Sequence, residues 1–379
     1  MRILYVASDQ VVPGRTGGSV HVLEVARGLA ARGHEVHAVV HRSPGVPDIE
    51  ARDGVRWHRI AWRPSLRMFR FRAFEAVARI AAAFPPDAVM ERYYNFGGEG
   101  IAVARARDVP SLLEVNSPAV DHPGSLKGLL DALVLVRPLR RYRESLCRQA
   151  AALIAPILEI VPEEVRGKTE VVTWGANVDA FRPERRSAEV RHALGVAENG
   201  VLALFGGSFR PWHGVHVFEA AARLLRERRD LFFVLVGGDS AGAGRGYRGR
   251  RLGAVAYERM PAIMASADVG VAPYDTARLR QLRLGFYWSP LKVFEYMASG
   301  LPTVTIPRMP LTEIVREGEE ALHVREGDPV ALARAIERLA DDTVLRARMG
   351  ASARARVVER YSWARHCEQI ENVLLRITS

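Results

Sequence analysis

Residues 2–40 read RILYVASDQVVPGRTGGSVHVLEVARGLAARGHEVHAVV, and their order decides the fold class. The apolar run Arg2 to Ala7 is short and is followed by a polar turn, Ser8 to Gly18, so it reads as a buried strand. From Ser19 to Arg32 the period changes. Val20, Leu23, Ala26, Leu29 and Ala30 fall at helical spacing, and Gly33 ends the helix as a C-terminal cap. Glu35 to Val40 returns to a strand. Strand, glycine-containing turn, helix and strand together make the βαβ unit of a parallel sheet.

The alternation continues outward from this unit. Val55 to Ile60, Ala88 to Met90, Ser111 to Val115, Ala152 to Ala155 and Glu170 to Val172 read as further strands of one parallel sheet with helices on both faces. A polar, proline-containing stretch, Val178 to Glu184, interrupts the series. A second series runs through Val201 to Phe205, Phe232 to Val236, Ala254-Val255, Asp268 to Ala272, Thr303 to Ile306 and Ala321 to Val324. The expected class is α/β, with two Rossmann-like doubly wound domains at 1–182 and 183–360. The last segment, Tyr361 to Ile377, reads as one amphipathic helix able to pack on either domain.

The bulk numbers agree with two ordinary globular domains: 379 residues, 48% apolar and 26% charged. No apolar run approaches the roughly 20 residues that span a bilayer. The N-terminus lacks the apolar stretch and cleavage site of a signal peptide, so a cytoplasmic location is expected. Cys147 and Cys367 lie far apart without metal-ligand spacing and read as reduced thiols. The formal net charge is +11, concentrated at Arg63 to Arg72, Arg137 to Arg148 and Arg278 to Arg283. No zinc-finger spacing, RNP-type aromatic motif or helix-turn-helix signature accompanies it, so no nucleic-acid partner is expected.

Three glycine-rich or helix-opening clusters carry the chemistry. The first is Pro13 to Ser19, between the first strand and the first helix. Its glycines Gly17 and Gly18 let backbone approach a ligand, and the helix start offers amides and a positive dipole end to an anion. Ligands of such sheets sit at the carboxyl ends of strands, where this loop lies. The second cluster is Gly206 to Gly214, again strand, turn and helix. In it Arg210 offers a cationic fork for phosphate oxygens, or is simply a surface arginine. The third is Ser289 to Gly300. Ser289 suits the N-cap and Pro290 the first helical position. The amides of Leu291 and Lys292 then point out of the helix start beside the Lys292 charge. Glu295 follows within reach, as a ribose-binding acid or as a helix-dipole acid. Amides, a cation and then an acid suit a nucleoside diphosphate.

These clusters together resemble the retaining glycosyltransferases of the GT-B fold, family 4, over nearly the whole chain. The resemblance is carried by Gly17 to Val36, Trp174 to Pro183, Gly207 to Val215, Gly253 to Asp275 and Ser289 to Val304, with Glu91 to Gly100 and Leu113 to Pro118 resembling a subset of the family. It implies a nucleotide-sugar donor bound mainly by the second domain, a hydroxyl acceptor bound by the first, an active site in the cleft between them, and a last helix, 361–379, that returns to the first domain. Carried over by residue, Gly18 faces the donor diphosphate, Arg210 and Lys292 hold and neutralise it, Glu295 takes the ribose, and the backbone near Val255 meets the base. Two departures stand out. The first acid of the family's paired-acid motif is Tyr287 here. The usual Arg and Lys of the phosphate loop align with Ser208 and His213, and either Arg210 or His213 could supply the missing charge.

On the acceptor side Asn116 and His122 follow a strand end. His122 reads equally as an acceptor contact or a solvent-facing loop histidine. Arg15 and His21 carry the same two readings, and Glu91, Arg92 and Asn95 follow another strand end. No acid stands out as a covalent nucleophile. The resemblance implies same-face attack, with the departing diphosphate helping to deprotonate the acceptor. No Asp-x-Asp pair is present to hold a metal, so metal-independent chemistry without a cofactor is expected. Three other readings are open: a nucleotide-sugar epimerase or hydrolase on the same fold; a catalytically silent nucleotide-sugar-binding protein; and peripheral contact with the inner membrane face through the apolar stretch Leu129 to Val136 and the arginines that follow it.

Overall fold

The computed structural model describes residues 1–14, 16–61, 73–94, 97–120, 137–278, 285–287 and 289–379. The chain forms two compact units: Met1–Trp174 with Tyr287–Ser289 and Trp363–Ser379, and Gly175–Phe286 with Pro290–Ser362.

The first unit is built on eight strands: β1 (Arg2–Val11), β2 (Glu35–His41), β3 (Ile49–Arg52), β4 (Val55–Ile60), β5 (Ala88–Arg92), β6 (Ser111–Glu114), β7 (Ala152–Ala155) and β8 (Thr169–Val171). Their spatial order is β3-β4-β2-β1-β5-β6-β7-β8. Every pair is parallel except β3 with β4, a short antiparallel edge that the sequence reading missed. Ile3 to Ala7 of β1 are wholly buried, as expected of a central parallel strand covered on both faces. The first helix runs Gly17–Ala31, starting two residues before the expected Ser19. Thr16 is the cap, and its Oγ1 accepts from the Ser19 amide at 3.2 Å. This helix packs on the last one, Trp363–Thr378. A Cβ on Gly28 would lie 2.3 Å from Cys367 Sγ, so the close approach of the two helices depends on glycine there.

The second unit has six strands: β9 (Val201–Gly206), β10 (Leu231–Ala243), β11 (Gly249–Gly253), β12 (Val269–Ala272), β13 (Thr303–Thr305) and β14 (Ala321–His323), in the order β11-β10-β9-β12-β13-β14. Its core includes Phe205, Phe218 and Phe233. The expected strand at Ala254-Val255 is absent. Pairing stops at Gly253, whose φ of +66° turns the chain out of the sheet.

The first unit ends at Trp174, before the expected boundary at residue 182. The reason is a set of main-chain anchors within the second unit. The Ala176 amide donates to the Tyr361 carbonyl at 2.8 Å. Arg354 Nη1 donates to the carbonyls of Val178, Phe181 and Ala298. A polar connection in sequence is therefore a fixed strap in structure.

Candidate functional site

In the second unit the clustered residues gather at the carboxyl ends of β9 and β12. Tyr296, wholly buried on the Leu291–Ala298 helix, receives a hydrogen bond from the Gly206 amide at 2.7 Å and donates to the Val271 carbonyl at 3.4 Å. It ties that helix to both strand ends. The helix begins one residue later than expected. Pro290 holds the cap position, and the Ser289 hydroxyl makes no hydrogen bond among the described residues. Proline cannot cap with a side chain, so the first amides, those of Leu291 and Lys292, precede the first backbone bond, from Val293 N to Pro290 O.

Lys292 is the centre of this arrangement. Its ammonium nitrogen is buried without a hydrogen-bond partner among the described residues. It lies 4.2 Å from the centre of the Phe205 ring and 5.2 Å from that of Tyr274. Gly207, at φ +152°, leaves room for it. Burial lowers its pKa to about 7, offset in part by Glu295 one turn further on. The nearby His213 Nδ1 is likewise buried and unpartnered. Burial, then Lys292 and Arg210, push His213 far below its ordinary range, so the ring is neutral. A neutral His213 brings no charge to this turn, and Arg210 is the cation beside it. Arg210 is exposed and makes no ion pair among the described residues, as is Ser208 two residues earlier. Leaving the buried Lys292 ammonium unpaired costs about 1–3 kcal/mol or more, and an anion would satisfy it.

Glu295 is buried, and Tyr257 Oη donates to its Oε1 at 2.9 Å. Val255 lies in the loop between β11 and Tyr257 and is half-buried. The sequence reading missed Tyr257, Tyr296, Tyr274 and Phe205. An aromatic residue two positions after Val255 was the available signal.

In the first unit Gly17 and Gly18 form the first turn of a 15-residue helix, and their amides precede the bonds made by Ser19 and Val20 to Thr16. His21 is wholly buried, so the solvent-facing reading of it does not hold. Its Nε2 lies 2.7 Å from Glu114 Oε1, its Nδ1 lies 3.2 Å from Arg92 Nη1, and its ring stacks on Trp174 at 4.4 Å. Tyr5 Oη donates to Glu114 Oε2 at 3.0 Å. Burial would raise Glu114, but His21, Arg92 and Asn116 pull it below the usual carboxylate range; burial keeps His21 neutral. Asn116 is held by the Trp174 indole N–H at 3.0 Å. His21, Glu114 and His366 place three ligand atoms within 4.8 Å of one another. An arginine can only donate, so His21 Nδ1 accepts from Arg92 and its proton sits on Nε2, the nitrogen that faces Glu114. Arg15, Asn95, His122 and the stretch Leu129 to Val136 lie outside the described residues.

Two family models meet this chain. Residues 16–161 match the glycosyl transferase 4-like domain, and residues 200–342 match glycosyl transferases group 1. The chain belongs to the group 1 glycosyltransferases. It is 28% identical over 391 residues to the D-inositol 3-phosphate glycosyltransferase of Streptomyces scabiei, covering 92% of this chain and 84% of the relative. It is 25% identical over 298 residues to the alpha-D-kanosaminyltransferase of Streptomyces kanamyceticus, covering 73% and 72%. The fold of this glycosyltransferase is GT-B. It superposes on the sucrose-phosphate synthase of Thermosynechococcus elongatus with a TM-score of 0.76 at 19% identity, covering 99% and 98% of the two chains. Anabaena HepE, solved in complex with UDP-glucose, gives a TM-score of 0.70 at 17% identity, covering 99% and 100%. Among the described residues no helix is long and apolar enough to cross a membrane.

Proposed function

We propose that this glycosyltransferase moves a sugar from a nucleoside-diphosphate sugar to a hydroxyl acceptor, with retention at the anomeric carbon. The reading rests on one observation: the buried, unpartnered ammonium of Lys292 beside the Gly207 turn, at a helix start that presents two amides. A diphosphate oxygen supplies what each of these groups lacks. Lys292 and Arg210 stabilise the leaving diphosphate, the ribose hydroxyls donate to Glu295, and the backbone near Val255 meets the base. Preorganised charges act where negative charge develops, which is the larger part of catalysis in such a reaction. The departing phosphate takes the acceptor proton, and no metal takes part. The amides of Gly17 and Gly18 offer a further anion contact on the first unit. Tyr287 stands in place of a donor-sugar carboxylate, so sugar selection rests on other groups. A cytoplasmic setting fits this donor.

HepE, a structural neighbour, was solved with UDP-glucose, which makes that donor the first to test. D-inositol 3-phosphate, named in several relatives, is the first acceptor. Proton NMR of the product should show the donor's anomeric configuration kept, with unchanged activity in EDTA; an inverted product would contradict retention. Epimer or free sugar formed from donor alone would instead favour the epimerase or hydrolase reading.

A further inference from the structure

We infer that Tyr257 is a positioning residue that sets Glu295 to accept both hydroxyls of a ribose diol, and so gives this enzyme its preference for ribonucleotide over 2′-deoxyribonucleotide donors. The inference rests on the ribose reading of Glu295. Glu295 has three rotatable side-chain bonds, and a carboxylate free to turn would lose much of the gain from a bidentate contact on being fixed. The Tyr257 hydroxyl restricts that rotation by donating to Oε1 at 2.9 Å. An ionised carboxylate has about four acceptor sites, and the phenol takes one of them.

The tyrosine is itself held. Its ring packs on wholly buried Phe181 at 5.7 Å between centroids. The Phe181 carbonyl accepts from Arg354 Nη1 at 2.9 Å, and the same nitrogen donates to Ala298 O, at the end of the helix that carries Glu295. Strap, phenol and carboxylate thus share one frame. The phenol touches the acid and not the reacting atoms.

The test is the ratio of dissociation constants for matched pairs, UDP with 2′-deoxy-UDP, GDP with 2′-deoxy-GDP and ADP with 2′-deoxy-ADP, measured by calorimetry and pursued with the tightest pair. The wild type should favour the ribo form roughly 10- to 100-fold, the worth of a hydrogen bond to a charged group. Glu295→Gln should bring the ratio close to one. Tyr257→Phe keeps the ring on Phe181, so it should fold, and it should cut the ratio about three- to tenfold. A purely structural tyrosine would weaken both nucleotides alike and leave the ratio unchanged. If Glu295→Gln collapses the ratio and Tyr257→Phe keeps it, the positioning role is wrong while the ribose reading stands. If Glu295→Gln keeps the ratio, the ribose reading fails and this inference with it.

Discussion

The Lys292 ammonium nitrogen occupies the space that a side chain on Gly207 would need: a Cβ there would stand 2.7 Å from Nζ. The two residues come from different elements, one following a strand and one opening a helix, so their meeting is a product of packing. Gly207→Ala should weaken nucleoside-diphosphate binding at least about tenfold, because the φ of +152° disfavours alanine and the methyl group would displace the Lys292 ammonium. Calorimetric titration checks this, and an unchanged affinity would contradict the assigned site.

Burial lowers Lys292 from an ordinary 10.5 to about 7, so the ligand-free fold disfavours its charged form. The unfolded chain keeps the proton up to its higher value. The lysine therefore weakens folding fully below about pH 7, and the penalty fades as pH rises toward 10.5. Lys292→Met should raise the melting temperature of the ligand-free protein, more at pH 7 than at pH 9.5. A bound diphosphate restores the charged form, so binding at pH 8 should take up a fraction of a proton. Titrations in buffers of different ionisation enthalpy read that uptake, and none at all would show the lysine to be charged beforehand.

Glu114 works with the opposite sign. Its pKa lies below the ordinary 4.5, so its contribution to stability is present above that value and is lost only as pH falls through the lower, folded value. Glu114→Gln removes the carboxylate that lies 2.7 Å from His21 Nε2 and accepts from Tyr5 Oη. Leaving such buried groups poorly matched costs about 1–3 kcal/mol. Denaturant melts should show that loss at pH 7 and a narrowing gap between the two proteins below pH 4.5; a constant gap would argue against an ionised Glu114.

Gly28 tests the helix pairing in the first unit. Alanine improves helix propensity by about 1 kcal/mol, whereas overpacking a filled contact costs about 1–3 kcal/mol. The new Cβ would meet Cys367 Sγ at 2.3 Å, and that thiol is wholly buried, so the clash should win. Gly28→Ala should lower the melting temperature, and a rise would mean that the two helices separate at little cost.

Much of this was legible in the chain. Continuous apolar runs such as Ile3 to Ala7 announce central parallel strands because both faces are covered. The placement of Lys292 and Glu295 on one helix was readable from the proline that opens it and the glycine that ends it. What escaped was long-range. The Thr16 cap and Pro290 at the helix start shifted boundaries by one or two residues, since several residues there suit a cap. His21 carried two readings, an acceptor contact or a solvent-facing histidine, because nothing local reveals that Glu114, Arg92 and Trp174 surround it. Tyr257 lies 38 positions from Glu295, and no local pattern links the two.

The most direct test compares Lys292→Ala with wild type at saturating donor and acceptor. If the lysine stabilises the leaving diphosphate, kcat should fall by roughly 10²–10³ while the circular dichroism spectrum and the melting cooperativity are retained. A correctly folded Lys292→Ala enzyme with wild-type kcat would contradict the account.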